Sequence, residues 1–286
     1  MAIDYDKLIA LKIPDREQSY THRDTILYAL GLGVGLDPLD EGQLSCVYEK
    51  DLRALPTMAV VLAHPGFWAR ELDTGIDWVK LVHGEQGLVL NKPLPPAATV
   101  VGVNRIVDVV DKGVGRGALV LSERKLFDTS NGDLLGTVTQ TSFCRGDGGF
   151  GGPAKQQPPP HKVPDRPADF ICDLPTSSQS ALIYRLSGDY NPLHAEPAVA
   201  KAAGFGQPIL HGLATFGVAG HAIVRAVCGY RVEQIASMSA RFTAPVYPGE
   251  TFRTEIWSDE NVVSFQVRSI ERDVLAIGGG QVVLRT

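Results

Sequence analysis

The feature that most constrains the fold of this chain is an internal duplication. Three short patterns occur once in each half of the 286 residues, in the same order and 152 to 158 residues apart. The pairs are Leu27–Gly31 with Ile183–Ser187, Leu55–Val60 with Leu213–Val218, and Lys92–Val100 with Ala244–Phe252. A shared order with slightly different spacing indicates a duplicated domain rather than chance similarity.

A change in composition separates the two copies. From about Arg145 to Pro167 the chain is rich first in Gly and then in Pro, a combination that gives an extended linker across a surface. We therefore predict three segments: an N-terminal repeat over residues 1–144, a Gly/Pro-rich linker over 145–168 and a C-terminal repeat over 169–286.

Both copies show the same succession of predicted elements. An early helix (23–30; 178–185) leads to a loop and then to a longer apolar helix (57–62; 213–227). Alternating apolar runs predict strands at 100–110, 117–125, 134–143, 235–242, 251–257, 262–270 and 275–284. A helix followed by antiparallel strands is typical of the hot-dog arrangement, in which a sheet wraps a central helix. The predicted fold class is therefore α+β, a double hot-dog.

Charge and composition exclude several classes of protein. The net charge of −5 and the pI near 5.8 disfavour a protein that coats nucleic acid or an anionic membrane. Four scattered cysteines without a CxxC pair read as reduced thiols. The start of the chain has no apolar signal region, so we expect a cytoplasmic protein with neither nucleic-acid nor membrane partners.

One segment of the second copy concentrates groups that can move protons. Ser187-Gly-Asp-Tyr-Asn-Pro-Leu-His194 contains Asp189, Asn191 and His194, and its Gly and Pro fix the path of the loop. A carboxylate and an imidazole together can take a proton from water and return one to carbon. Gly212 opens the central helix nearby, where free N–H groups suit an oxygen that gains negative charge. We expect these groups to form one reaction site.

These motifs resemble those of the hydratase-2 branch of the MaoC-like dehydratases. The resemblance rests on the segments Tyr184–His194, Pro208–Gly212 and Ala240–Gly249 in the second half, and on Tyr20–Gly31, Val82–Gln86, Lys92–Pro95, Asp111–Gly113 and Gly148–Gly152 in the first. It spans nearly the whole chain. The family adds water to a trans-2-enoyl-CoA, gives the (3R)-3-hydroxyacyl-CoA and uses no metal or organic cofactor.

The resemblance also implies roles for individual residues. Asp189 and His194 match the catalytic pair, Asn191 matches a residue that orients the water, and Glu49 matches a first-half glutamate important in the family. Gly212 matches the backbone donor to the thioester oxygen. The expected substrate-binding set is His83, Gly84, Lys112, Ser187, Gly188, His211 and Phe242.

The first copy lacks the active motif. Gly31-Leu-Gly-Val-Gly-Leu-Asp-Pro38 stands where the second copy has the Asp/His pair, so one active site per chain is expected. In the family the degenerate half makes room for the acyl chain, which implies medium-to-long substrates. Hot-dog sheets commonly pair across two-fold axes, so a homodimer is expected by analogy of fold.

Other interpretations remain open at this point. The substrate can be a specialised branched, dicarboxylic or steroid-side-chain acyl-CoA, and the chain can be a thioesterase or a non-catalytic acyl-CoA binder. Lys112 can contact a CoA phosphate or be merely solvated. Arg241 can meet a phosphate or an internal carboxylate, while His64 and His221 are expected to be structural or surface residues.

Overall fold

The computed structural model describes residues 3–153, 155 and 157–285. Its ten strands are β1 (Arg16–Tyr20), β2 (Leu81–Leu90), β3 (Ala98–Asp111), β4 (Ala118–Asp128), β5 (Leu134–Cys144), β6 (Phe170–Pro175), β7 (Ile235–Phe242), β8 (Thr251–Asp259), β9 (Val262–Ser269) and β10 (Val274–Leu284). The helices are α1 (Tyr5–Ile9), α2 (His22–Gly31), α3 (Glu41–Val47), α4 (Trp68–Glu71), α5 (Ser180–Tyr184), α6 (Pro197–Ala202) and α7 (Gly212–Ala226).

All ten strands form one antiparallel sheet whose order repeats itself. The order is β1-β3-β4-β5-β2 in the first half and, read outward from the other edge, β6-β8-β9-β10-β7 in the second. The inner strands β2 and β7 pair with each other, from Glu85 opposite Arg241 to Val89 opposite Ser237. Each half has the same strand order, and the two halves join through β2 and β7. This arrangement is the double hot-dog predicted from the duplication.

The second half wraps its sheet around α7, a helix of 15 residues. Twelve consecutive residues, 213–224, are buried, so this helix is enclosed on every side and lies inside the protein. Gly217 and Gly220 face the first half. A Cβ atom at Gly220 would lie 2.6 Å from Cγ2 of Thr57, which shows how closely the two halves approach here. One apolar core therefore runs through both halves.

The first half has no equivalent of α7 among its described residues, so the predicted helix over 57–62 is wrong. Only one turn of 3₁₀ helix forms, over Pro56–Val60. Ala63 adopts a left-handed conformation with φ of 47°, which stops any continuation. The guanidinium of Arg124, on β4, donates to the Val60 carbonyl oxygen at 2.7 Å and thereby satisfies the end of the turn.

The predicted strands correspond closely to β3, β4, β5, β7, β8, β9 and β10. The sequence does not predict β1, β2 and β6. Strand β1 is short and polar, and β2 contains Gly84 and Gly87. Strand β6 alternates only over its last four residues and ends in Pro175. In the described part of the chain, no helix has the length and apolar character needed to cross a membrane.

The linker runs across the sheet from one half to the other. Near its start Lys155 Nζ lies 2.8 Å from the Asp108 carboxylate of β3, and further on His161 Nε2 lies 2.7 Å from Ser264 Oγ of β9. The division into segments 1–144, 145–168 and 169–286 is kept as a proposal, since the core itself is continuous between the halves.

Candidate active site

The loop that carries the predicted catalytic residues is fixed by its own backbone contacts. A turn of 3₁₀ helix ends at Gly188, whose φ of 128° is accessible to glycine at little strain. The Asp189 carboxylate then accepts the Asn191 N–H at 3.1 Å, and the Asn191 side-chain oxygen accepts the Leu193 N–H at 3.0 Å. These two turns direct Asp189 and His194 toward one region.

The His194 ring is held in one tautomer. Its Nδ1 lies 2.8 Å from the Ile209 carbonyl oxygen, which can only accept, so Nδ1 carries the proton and donates. Nε2 is then left with a lone pair. Burial lowers the pKa of His194 below its usual value, so the ring is neutral at pH 7 and can accept a proton.

A second histidine, His211, packs against His194. The His211 ring stacks on the His194 ring, with centroids 3.7 Å apart, and its Nε2 donates to the Asp189 carbonyl oxygen at 3.1 Å. Burial first and the neighbouring His194 second lower the pKa of His211 to about 4. Because His211 is only 1% exposed and contacts His194 and the Asp189 backbone, it positions the loop. Its expected role in substrate binding stays a prediction.

Gly212 follows directly as the first residue of α7. Its N–H has no acceptor among the described residues, as expected at the start of a helix, and the positive end of the helix dipole lies here. A Cβ atom at this position would lie 3.4 Å from the Phe242 ring. The site beside Gly212 is therefore walled by Phe242.

The first half contributes His83, which packs against Phe242. The His83 ring, on β2, meets Phe242 edge to face with centroids 4.8 Å apart, and His83 Nε2 donates to the Glu85 carbonyl oxygen at 3.1 Å. Gly84 lies in a β-bulge against β5, where the register shifts between His83 and Glu85. A bulge redirects neighbouring side chains, so Gly84 aims His83 across the seam between the halves.

One histidine near the site was not expected there. The sequence predicts His64 to be structural or on the surface, yet it lies in electrostatic reach of Asp189 and His83. Burial lowers the pKa of His64 to about 3 and that of His83 to about 4, and the Asp189 carboxylate opposes both shifts. His221, by contrast, is buried in α7 and contacts Tyr230 Oη at 2.9 Å, as a structural residue does.

The remaining residues singled out in the sequence differ in how close they lie to these contacts. Glu49 is exposed in the turn after α3 and makes neither a hydrogen bond nor an ion pair within the described ranges, so no contact supports its catalytic role. Ser187 is half-buried at the end of the 3₁₀ turn and Gly188 is exposed beside Asp189. Arg241 pairs with the Glu85 carboxylate at 2.5 Å, where β2 and β7 meet. Of the two partners that the sequence left open for Arg241, the unliganded protein therefore shows the internal carboxylate.

Lys112 lies on a rim formed by two glycine-rich loops. The Asp111 carboxylate accepts N–H groups from Gly113 at 2.8 Å, Gly149 at 2.7 Å and Gly151 at 3.0 Å, and so ties the two loops together. Lys112 itself is exposed, with Nζ 5.2 Å from the Phe143 ring centroid. An exposed ammonium on a fixed loop is free to contact an anionic group of a ligand.

The donor set at the centre does not favour a metal ion. Asp189, His194 and His211 offer ligand atoms within 4.8 Å of one another. The two rings are stacked only 27° from parallel, however, and each already donates one nitrogen proton to a backbone carbonyl. Lone pairs in nearly parallel ring planes do not converge on one ion at the usual bond length near 2.1 Å. The expectation of no metal and no organic cofactor stays a prediction.

Comparisons with known proteins match this arrangement throughout the chain. Residues 18–146 match the family model of the MFE-2 hydratase 2 N-terminal domain, and residues 160–279 match that of the MaoC like domain. The 3-hydroxyacyl-thioester dehydratase Y of Mycobacterium tuberculosis is 43% identical over 91% of this chain and 89% of its own length. The peroxisomal enoyl-CoA hydratase 2 of Arabidopsis thaliana is 36% identical over 96% of this chain and 93% of its own.

A solved structure agrees with the fold over the same extent. The MaoC-like dehydratase from Phytophthora capsici superposes with a TM-score of 0.88 at 32% identity, and the match covers 99% of this chain and 98% of that one. Motifs, fold, family models and relatives therefore agree. The chain belongs to the hydratase-2 branch of the MaoC-like dehydratase family.

Proposed function

We propose that this protein is an enoyl-CoA hydratase that adds water reversibly to a trans-2-enoyl-CoA and forms the (3R)-3-hydroxyacyl-CoA. The observation that carries the proposal is the proximity of the Asp189 carboxylate and the His194 imidazole, within 4.8 Å of each other, beside the N-terminus of α7. A carboxylate, a neutral imidazole and a free helix N-terminus are the groups that this reaction needs.

The proton-transfer step uses the carboxylate and the imidazole as a pair. A water molecule between Asp189 and His194 Nε2 gives one proton to the pair while its oxygen forms a bond to C3. The pair returns a proton to C2, so the product has gained one H and one OH. Since both groups lie on one side of the site, the two additions occur on the same face, which gives syn addition.

The thioester oxygen is stabilised separately. As water adds to C3, electron density moves from the double bond onto this oxygen, and the Gly212 N–H at the start of α7 donates to it. Asn191 is restricted by its own turn: its side-chain oxygen is used by Leu193 N–H, so only its amide N–H₂ is free to orient the water.

The first half holds the rest of the substrate. Its short 3₁₀ turn occupies less space than α7 does in the second half, so medium-to-long acyl chains are accommodated there. Lys112 contacts the CoA moiety from the rim of the site, and His83 and Phe242 pack against the acyl group.

Assembly and location are part of the proposal as well. A homodimer is supported by analogy of fold alone. The cytoplasmic location predicted from the sequence stands beside a relative whose name is peroxisomal, and fractionation of the cells that make the protein decides between the two compartments.

The test measures two signals, the enoyl-thioester absorbance and the release of free thiol, for a panel of substrates. Loss of the enoyl-thioester absorbance with crotonyl-, octenoyl- and decenoyl-CoA, without release of free thiol, is the expected result. Thiol release at the same rate would indicate a thioesterase. Binding of acyl-CoA with no absorbance change at any chain length would indicate a non-catalytic binder.

A further inference from the structure

A small polar cavity lies in the first half, where the second half has α7. Its volume is about 30 Å³, enough for one or two water molecules. The end of the 3₁₀ turn, His64 and Trp68 form one side of it. Strands β2 to β5 form the other with polar side chains, among them Gln86, Asn104, Arg124 and Gln140. A cavity of this size can hold the polar end of an acyl chain but not the whole chain.

Arg124 is the dominant charge at this cavity. It is 6% exposed, and no carboxylate of the described chain lies within ion-pair distance of it. One terminal nitrogen, Nη2, donates to the Ala59 and Val60 carbonyl oxygens. Neither Nε nor the other terminal nitrogen, Nη1, has an acceptor among the described residues, and of these two only Nη1 keeps accessible surface. Burial lowers the pKa of Arg124 to about 10, so it is still charged at neutral pH. A buried guanidinium with an unused donor is unfavourable unless an acceptor reaches it.

The carboxylate nearest in sequence does not fill this role. Glu123 also contributes to the lining, but its carboxylate pairs with Arg105 Nε at 3.0 Å and lies 3.9 Å from Lys125 Nζ. Adjacent residues of a strand point to opposite faces of the sheet. The Arg124 cavity therefore holds a positive charge that the protein leaves without a counterion.

Three residues that line the cavity, Val60, His64 and Gln86, connect it to the candidate active site. Val60, whose carbonyl oxygen Arg124 binds, precedes Val61, and the Val61 carbonyl oxygen lies 3.8 Å from the Cβ position of Gly188 in the catalytic loop. His64 lines the cavity and lies close enough to Asp189 for the carboxylate to act on the His64 pKa. Gln86 lines the cavity and lies on β2, three residues after His83, which packs against Phe242 beside the site.

We infer that the Arg124 cavity recognises an oxygen acceptor carried by the acyl chain of the substrate, a terminal carboxylate foremost and a neutral hydroxyl or carbonyl second. This inference rests on the proposed function and names its substrate class. An acceptor in the cavity replaces water, pairs with the unused Nη1 donor and, when it is a carboxylate, neutralises the buried charge. A methyl-terminated chain leaves the charge uncompensated.

The experiment compares matched substrates on the full-length protein. Trans-2-enoyl-CoA substrates of increasing length are prepared with a terminal methyl, hydroxyl or carboxylate group, and kcat/KM is measured for each. At one length the wild type prefers the carboxylate over the methyl terminus by about tenfold or more, as hydrogen bonds to charged groups commonly allow. The hydroxyl series separates a need for any acceptor from a need for an anion.

Two variants test whether Arg124 is responsible. Arg124→Met keeps the apolar length of the side chain and removes the charge, so it abolishes the preference while turnover of the methyl-terminated substrate stays within about threefold. The control is Arg105→Met on neighbouring β3, whose side chain is 61% exposed and which keeps the preference. Arg124→Lys retains the charge and keeps part of the preference.

Each outcome has one reading. Equal kcat/KM for all three termini at every length in the wild type overturns the inference, whatever the variants do. Equal loss on all substrates in a folded Arg124→Met also overturns it and makes Arg124 purely structural. If circular dichroism shows that Arg124→Met does not fold, the wild-type panel and Arg124→Lys decide. Absence of turnover with every substrate instead defeats the proposed function.

Discussion

The two halves of this protein have the same strand order but differ in what the sheet encloses. In the second half, α7 buries twelve consecutive residues, and its N-cap residue His211 contacts the Asp189–His194 loop. In the first half a single 3₁₀ turn, Pro56–Val60, stands in its place. The comparison indicates that the two copies of the fold have different functions. The half that keeps the helix holds the reacting groups, and the half without it has more space and a buried cation.

The largest expected effect is a loss of activity when a carboxylate in the second half, but not its counterpart in the first half, is replaced. Asp189→Asn removes the acceptor for the water proton, so turnover falls by about 10²–10⁴-fold while acyl-CoA binding persists. The matched control is Asp37→Asn in the corresponding first-half loop, where the carboxylate accepts only the Leu39 N–H. This control keeps full activity. Parallel loss of binding and turnover in Asp189→Asn would point to misfolding. Loss of turnover in Asp37→Asn would contradict the placement of the reacting groups in the second half alone.

The next effect is on stability and depends on pH. Burial lowers the pKa of both His211 and His221 to about 4, whereas in the unfolded chain each takes a proton near pH 6.5. Between these values the unfolded chain binds more protons. The free energy of unfolding is therefore complete above pH 6.5 and falls by about 1.4 kcal/mol per pH unit for each group as the pH drops toward 4.

Urea denaturation at several pH values measures this slope. His221→Gln keeps a donor for the Tyr230 hydroxyl and removes one titrating group, so its slope is smaller than that of the wild type by about one proton. An identical slope in the variant and the wild type would show that His221 does not resist protonation in the folded state.

A smaller effect tests the packing between the halves. Gly220→Ala on α7 places a methyl group 2.6 Å from Thr57 Cγ2, so we expect destabilisation by about 1–3 kcal/mol. Thr57→Ser removes that Cγ2 atom. In this background Gly220→Ala becomes neutral or stabilising, because alanine favours a helix over glycine by about 1 kcal/mol. Additive effects in this double-mutant cycle, followed by thermal unfolding, would mean that the halves do not meet here.

The smallest effect concerns the seam itself. Glu85 and Arg241 pair across β2 and β7, but their side chains are 39% and 44% exposed. Glu85→Gln therefore lowers the free energy of unfolding by at most about 1 kcal/mol, and added salt reduces the difference. A larger or salt-independent loss would show that this pair does more than join two strands at the surface.

The sequence predicts the strands well wherever apolar and polar residues alternate. All four strands of the second half after α7 begin within one residue of their predicted starts, since each has one face on the core. It fails at the first-half helix because Leu55-Pro-Thr-Met-Ala-Val60 resembles the start of α7 locally. The left-handed Ala63 and the distant Arg124 that end the turn are not part of that local pattern.

The candidate site is predictable in part for a related reason. Asp189, Asn191 and His194 are adjacent in sequence, and Gly212 is recognisable as the start of a helix. The contacts of His211 with Asp189 and of His83 with Phe242 join segments far apart in the chain, and only the folded sheet brings them together. His64 carries no motif at all, so nothing in its sequence context indicates that it lies near Asp189.

The central claim is that one Asp189–His194 pair, in the second half, delivers both the hydroxyl and the proton from one face of the substrate. Hydration of trans-2-decenoyl-CoA in D₂O tests it most directly, with chiral chromatography for C3 and proton NMR for C2. The account predicts a single product that has the (3R) hydroxyl and deuterium added syn at C2. A (3S) product, or deuterium distributed over both faces of C2, would contradict it.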